Sequence, residues 1–417
     1  MATIVLTGCV LLDGTGSRPL PDATVIVEGE EIVAVGRRSE IPLPPQPYEL
    51  YDLAGQYVLP GLIDAHVHIT VDGGPTGTFS CDERYNVLTA LKQAQRTLEA
   101  GFTTVRDLGG RNYIEFAVRR AIQEGLYPGP RLVLAGRIIS MTSAGADYWP
   151  GMYREADGPD QVRKATREEL KAGADVIKVM ATGAAMAPGE QPAAQYTVEE
   201  MRAAVEEAHK VGKPVAAHAS GIDGIRNALA AGVDHIEHGS YLHEDPAAIE
   251  QMIARGVFLV PTRKAFAAPL AIGAAADLPE WMLRQIRREE ENSARSLRAA
   301  IAAGVPIAMG TDAGGPFNRH GENAGELQLL VEAGLSPMAA IVAATRSAAQ
   351  CVGLGERLGT IEAGKWADIL VVREDPLHDI RVLAKPGAIT LVLKGGKPVV
   401  HEGAAAAPTP LAGGEVA

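Results

Sequence analysis

The sequence predicts an α/β fold: a (β/α)8 barrel of the TIM type with a small β-sandwich built from both chain termini. Three observations lead there. Eight short apolar runs alternate with amphipathic stretches between residues 62 and 311. Several of those stretches are followed by a glycine, the residue that ends helices most readily. Short β-branched runs separated by glycine turns occur at the two ends of the chain.

In chain order, residues 3–12, 23–28 and 31–36 read as strands. Asp13-Gly14-Thr15-Gly16 and Gly29-Glu30 supply the turns, and a proline-rich connector from Pro42 to Pro47 follows. The apolar runs are 62–69, 102–107, 131–135, 175–179, 214–218, 233–237, 257–261 and 306–311. Helical patterns lie between them, among others over 86–100, 160–172, 197–211 and 279–303, with Gly101, Gly173, Gly212 and Gly304 near their ends. Residues 367–372, 389–393 and 397–400 return to strand character, with Lys394-Gly395-Gly396-Lys397 as a hairpin turn and a frayed tail from Gly403. The expected division is 1–58 and 359–417 for the sandwich and 59–358 for the barrel. A doubly wound open sheet is the competing fold. It would carry a phosphate-binding glycine loop after its first strand, where this chain has His66-Val67-His68.

Composition narrows the function. Of 417 residues, 47% are hydrophobic and 22% charged, which is too apolar for intrinsic disorder. The formal charge of -12 argues against nucleic acid and anionic membranes as partners. Cys9, Cys81 and Cys351 are scattered and form no disulfide framework. Met1 to Leu12 reads as a strand rather than a signal peptide, and no apolar run is long enough to span a bilayer. The expectation is a cytoplasmic homo-oligomer acting on a small-molecule substrate.

In such a barrel the chemistry lies at the C-terminal ends of the strands. His66 and His68 end the first run, Lys178 the fourth, His218 the fifth, His238 the sixth and Asp312 the eighth. Residues i and i+2 of a strand face the same way, so His66 and His68 can meet one ion from one rigid element. Neutral imidazoles suit zinc. A bare ammonium at Lys178 would repel metal. An N6-carboxylated lysine would instead be an anionic ligand able to bridge two divalent ions. Asp312 adds a carboxylate able to serve as general base and then general acid, or alternatively to cap the next element.

These residues resemble the amidohydrolase superfamily, near its binuclear imidazolonepropionase-like and prolidase-like (Xaa-Pro, Xaa-Arg dipeptidase) members. The matching motifs are Pro60-Gly61-Leu62-Ile63-Asp64-Ala65-His66-Val67-His68, Ile177-Lys178-Val179-Met180, Ala217-His218-Ala219, Ile236-Glu237-His238-Gly239 and Gly310-Thr311-Asp312-Ala313-Gly314. The stretch from Gly359 to Ile369 also matches, and the resemblance spans roughly residues 3–400. It implies that His66, His68 and Asp312 hold the more buried ion, that His218 and His238 hold the second, and that carboxylated Lys178 bridges them. One departure stands out. Dipeptidase-like relatives often carry Thr-Gly-Gly-His-Gly after the third strand, where this chain has Thr142-Ser143-Ala144-Gly145-Ala146-Asp147.

Arg106, Tyr148, His235 and His320 are the candidate substrate contacts, and the first three could stand in for the missing histidine. Met180 and Met186 flank a Gly/Ala-rich segment, Ala181 to Gly189, with the character of a lid. His209, His243, His378 and His401 read as surface residues. The leading function is a metal-dependent hydrolase of an amide or peptide-like C–N bond, in an N-acyl amino acid or dipeptide-like molecule. Its alternatives are a deaminase, a cyclic amide or imide hydrolase, a carbamate or ester hydrolase, and a non-catalytic scaffold on the same fold.

Overall fold

The computed structural model describes residues 3–75, 82–184, 192–272 and 278–401. Cys81, Met186 and the tail from Gly403 lie outside the described residues, so the expectations for them are not addressed by the structure.

The middle of the chain folds as parallel α/β. Strand Leu62–Val67 pairs with Phe102–Asp107, which pairs with Arg131–Leu134. A second parallel sheet runs in the order Tyr153–Glu155, Ile138–Ser140, Ile177–Met180, Val215–Ala219, His235–His238 and Phe258–Val260. Every residue of Leu62–Val67 and of Phe102–Asp107 is buried, as expected of parallel strands covered on both faces. The Asp175 N–H donates to the Leu134 carbonyl at 2.7 Å and stitches the two sheets together.

The helices fall where the apolar periodicity puts them: Glu83–Glu99, Gly158–Ala172, Val198–His209 and Glu280–Ala303. Gly173 and Gly304 end two of them in the left-handed conformation. Thr197 and Glu200 form a reciprocal capping box at the start of a third. No helix among the described residues is long and apolar enough to cross a membrane.

The eighth apolar run differs from expectation, because 306–311 does not form a strand. Pro306 has no N–H to give a ladder, and Asp312 turns the chain with a φ of 58°. The segment nonetheless touches both sheets. The Leu259 N–H donates to the Pro306 carbonyl at 2.9 Å, and the Ala65 N–H to the Met309 carbonyl at 2.9 Å. Isolated bridges join Ile307 to Leu259 and Ala313 to Val67.

The terminal segments were expected to form a sandwich; their strands hydrogen-bond as one eight-stranded mixed sheet. Ile369–Val372 lies antiparallel to Tyr57–Pro60, so the late strands extend the early ones. Ile4, Leu6, Val25, Val27, Leu391 and Leu393 share its core. Gly395 and Gly396, with φ of 54° and 70°, make the tight hairpin. Gly14 is required for contact between the two termini: a Cβ there would lie 2.5 Å from the Gly359 carbonyl.

Candidate metal centre

His66, His68, Lys178, His218, His238 and Asp312 line one pocket at the C-terminal ends of the parallel strands. One ligand atom each from His66, His238 and Asp312 lies within 4.8 Å of the other two. The rings of His66 and His68 are 5.3 Å apart, those of His66 and His238 5.2 Å, and those of His218 and His238 4.4 Å. His68 Nε2 lies 3.1 Å from an Asp312 carboxylate oxygen. The six residues that the sequence singles out as ligands are therefore brought together.

Local structure explains how they converge. Simple alternation would turn His238 away from the face that Glu237 occupies. A φ of 70° at His238 rotates it into the pocket instead. Asp312 is held in a similar left-handed conformation, with its N–H donating to the His66 carbonyl at 2.7 Å. Asp64 ties the two elements together. Its carboxylate accepts from the N–H groups of His66 and Thr311, from the Thr311 hydroxyl at 2.6 Å and from the Asn323 amide at 2.7 Å. Asp107 accepts from the N–H groups of Ile69 and Gly109, and the Gly109 carbonyl in turn lies 2.9 Å from His68 Nδ1. His238 Nδ1 lies 2.6 Å from the Thr262 hydroxyl. The Gly109 and Thr262 contacts each engage Nδ1 of a ring whose residue lines the pocket.

The electrostatics suit a cation. Burial holds His66 and His238 well below the ordinary imidazole value, and His218 falls to about 3 through burial and the nearby Lys178. Neutral imidazoles are the form that binds metal. Burial brings Lys178 down to about 8, against the pull of Glu237 and Asp312. Burial alone would raise Asp312, but His66, the hydrogen bond from His68 and the charge of Lys178 outweigh it and hold it at about 2. Two buried atoms, His66 Nε2 and Lys178 Nζ, make no hydrogen bond. Buried polar atoms are rarely left so, and both face the same pocket. A set of four imidazoles, a carboxylate and an unpartnered amine fits divalent metal.

Above this floor the wall is apolar and aromatic. Val71, Ile138, Trp149, Met152, Tyr153 and Met180 form one side, and Phe266 faces them. Trp149, Met152 and Tyr153 were missed in the sequence because they belong to the irregular stretch after Ile138–Ser140, where no period marks a face.

The four candidate substrate contacts are placed elsewhere, since none of them lines this pocket. Arg106 is fully buried inside the sheet, bonded to His235 at 2.8 Å and to Glu237 at 2.7 Å. His235 lies three residues below the strand end and borders a separate cavity beside Asp234 and Cys351. His320 is buried, with Nε2 3.1 Å from the His68 carbonyl. Tyr148 packs its ring edge-on to Trp149 with centroids 4.6 Å apart. Arg106, His235 and His320 are thus engaged in contacts within the protein, away from the lining of this pocket. His243, expected at the surface, is bonded to Ser296.

Comparison with known proteins gives the family. The amidohydrolase family profile matches residues 57–399. Ochratoxinase from Aspergillus niger is 33% identical, over 95% of this chain and 86% of its own length. A solved prolidase complexed with N-methylphosphonate-L-proline superposes with a TM-score of 0.88 at 31% identity, covering 96% of this chain and 100% of that one. A Xaa-Pro dipeptidase with methionine bound in its active site gives 0.86 at 31% identity, covering 95% and 99%. The fold is thereby of the TIM-barrel type.

Proposed function

The chain belongs to the amidohydrolase family and is a hydrolase of C–N bonds; we propose that it cleaves an amide or peptide-like bond of a small molecule whose flanking group is apolar or aromatic. The observation that carries this reading is the juxtaposition of the six-residue cluster with the wall of Trp149, Met152, Tyr153, Met180 and Phe266. We assign His66, His68 and Asp312 to one zinc ion, His218 and His238 to a second, and carboxylated Lys178 to both. Such ions, when bound, polarise a carbonyl and activate water at neutral pH.

The chain's own side chains do the rest. Asp312, held beside His68 at 3.1 Å, takes the proton from the attacking water and returns it to the leaving nitrogen. The rings of Trp149 and Phe266 exclude bulk water and orient the flanking group. The cluster occupies the mouth of what we read as a closed barrel over 59–358, with residues 306–313 as its eighth stave. Hydrogen bonds from that segment to Leu259 and Ala65 support the closure. We read residues 1–58 and 359–417 as the accompanying sandwich, built on the eight-stranded terminal sheet.

The test is a panel of dipeptides, N-acyl amino acids, lactams, carbamates and amino-heterocycles, assayed with and without chelator. Amides with an aromatic or large apolar group beside the bond should be turned over, and chelation should abolish it. Turnover confined to amino-heterocycles with release of ammonia would replace this reading with a deaminase.

A further inference from the structure

Arg106 is the largest fully buried side chain among the described residues, and it does not line the pocket. Each of its three nitrogens makes a contact inside the protein. Nε donates to the Ala65 carbonyl at 2.6 Å, Nη2 to Glu237 Oε1 at 2.7 Å, and Nη1 points at His235 Nδ1 at 2.8 Å. Glu237 Oε2 lies 2.8 Å from His66 Nδ1. The line His235–Arg106–Glu237–His66 is thus continuous, and all four residues are 5% exposed or less.

The chemistry of the guanidinium settles each hydrogen. A guanidinium has donors and no acceptor, so His235 Nδ1 must accept and its proton must be on Nε2. The Glu237 carboxylate accepts from Arg106 through one oxygen and therefore accepts from the His66 Nδ1–H through the other. That leaves the His66 Nε2 lone pair facing the pocket, where it has no hydrogen-bond partner. Arg106 also grips the carbonyl of Ala65, the residue that precedes His66 on its strand.

We propose that Arg106 and His235 are positioning residues for the metal ligand His66, acting through Glu237 to fix its tautomer and ring orientation. The proposal rests on the metal reading given above. His235 supplies the acceptor that keeps the Arg106 fork from rotating away from Glu237. Outer-shell partners of this kind typically change metal affinity by about 10- to 100-fold.

The experiment measures zinc affinity of the stripped full-length protein by competition with a chromophoric chelator, with circular dichroism to establish the fold. His235→Leu removes the acceptor, and His235→Gln keeps one. His235→Leu should weaken zinc at the tighter site by roughly 10-fold, and His235→Gln should restore most of it. Arg106→Lys, which keeps the charge but loses the fork, should fall below wild type as well. Should His235→Leu not fold, Arg106→Lys against wild type carries the same comparison. Wild-type affinity in the folded His235→Leu and Arg106→Lys variants would overturn the proposal. Equal losses in His235→Leu and His235→Gln would do so too, since packing rather than the acceptor would then be responsible. A wild-type protein that binds no zinc would instead overturn the metal reading itself.

Discussion

Two clusters of similar side chains lie in the parallel sheets, one at the strand ends and one in the layer beneath, and strand His235–His238 contributes to both. Both contain imidazole, carboxylate and a cation. In the lower cluster Arg106 satisfies His235, Glu237 and the Ala65 carbonyl at 2.6 to 2.8 Å. In the upper cluster His66 Nε2 and Lys178 Nζ have no hydrogen-bond partner, although both are buried. The difference shows that residue type alone does not mark the reactive end of this barrel. His235 and His238 belong to one four-residue strand, yet one is a closed structural contact and the other faces a pocket. What separates them is what each ring meets: His235 Nδ1 meets Arg106, whereas His238 is anchored by Thr262 and lines the pocket.

The comparison breaks most visibly through Asp312. In the proposed mechanism its role is to carry the proton, so Asp312→Asn should keep the fold and part of the metal while kcat falls by about 10²- to 10⁴-fold. Steady-state kinetics beside metal analysis measures this, and a near-wild-type kcat with metal bound would remove the proton-carrying role.

The next effect is on stability and has opposite signs in the two clusters. Arg106→Met leaves Glu237 buried with its counter-charge removed and should destabilise the protein by about 3–5 kcal/mol. Lys178→Met removes an unpartnered buried amine and should stabilise the metal-stripped protein by roughly 1–3 kcal/mol. Urea unfolding of the stripped proteins decides both. The Lys178→Met gain has a pH signature. The folded ammonium releases its proton near 8, against an ordinary 10.5. Between these values the unfolded chain holds more protons, so wild-type stability recovers as pH rises. The gain should be full below about pH 8 and shrink toward 10.5. A gain that does not change with pH would mean that Lys178 is not carried as a buried cation.

Much of the upper cluster was legible in the sequence. His66 and His68 show the two-residue period of a strand, and Lys178, His218, His238 and Asp312 each close an apolar run. The lower cluster was legible as residues but not as a role. Arg106 and His235 stand near strand ends too, and nothing in a linear pattern says which of several inward residues is uppermost. The left-handed turns at His238 and Asp312 make that choice, and only the neighbouring Gly239 and Gly310 hint at them. Asp64 stands within the motif that ends in His66-Val67-His68, but its four donors come from positions as distant as Thr311 and Asn323. The eight parallel runs were read nearly to the residue, except 306–311, where Pro306 and Asp312 prevent a regular ladder.

The central claim is that the upper cluster holds metal. Elemental analysis of wild-type protein purified without chelator tests it most directly. About two zinc or equivalent divalent ions should be found per chain, falling sharply in Lys178→Ala and partly restored together with activity by a short carboxylic acid. Protein that carries no transition metal, and that neither binds nor is activated by added zinc, would contradict it.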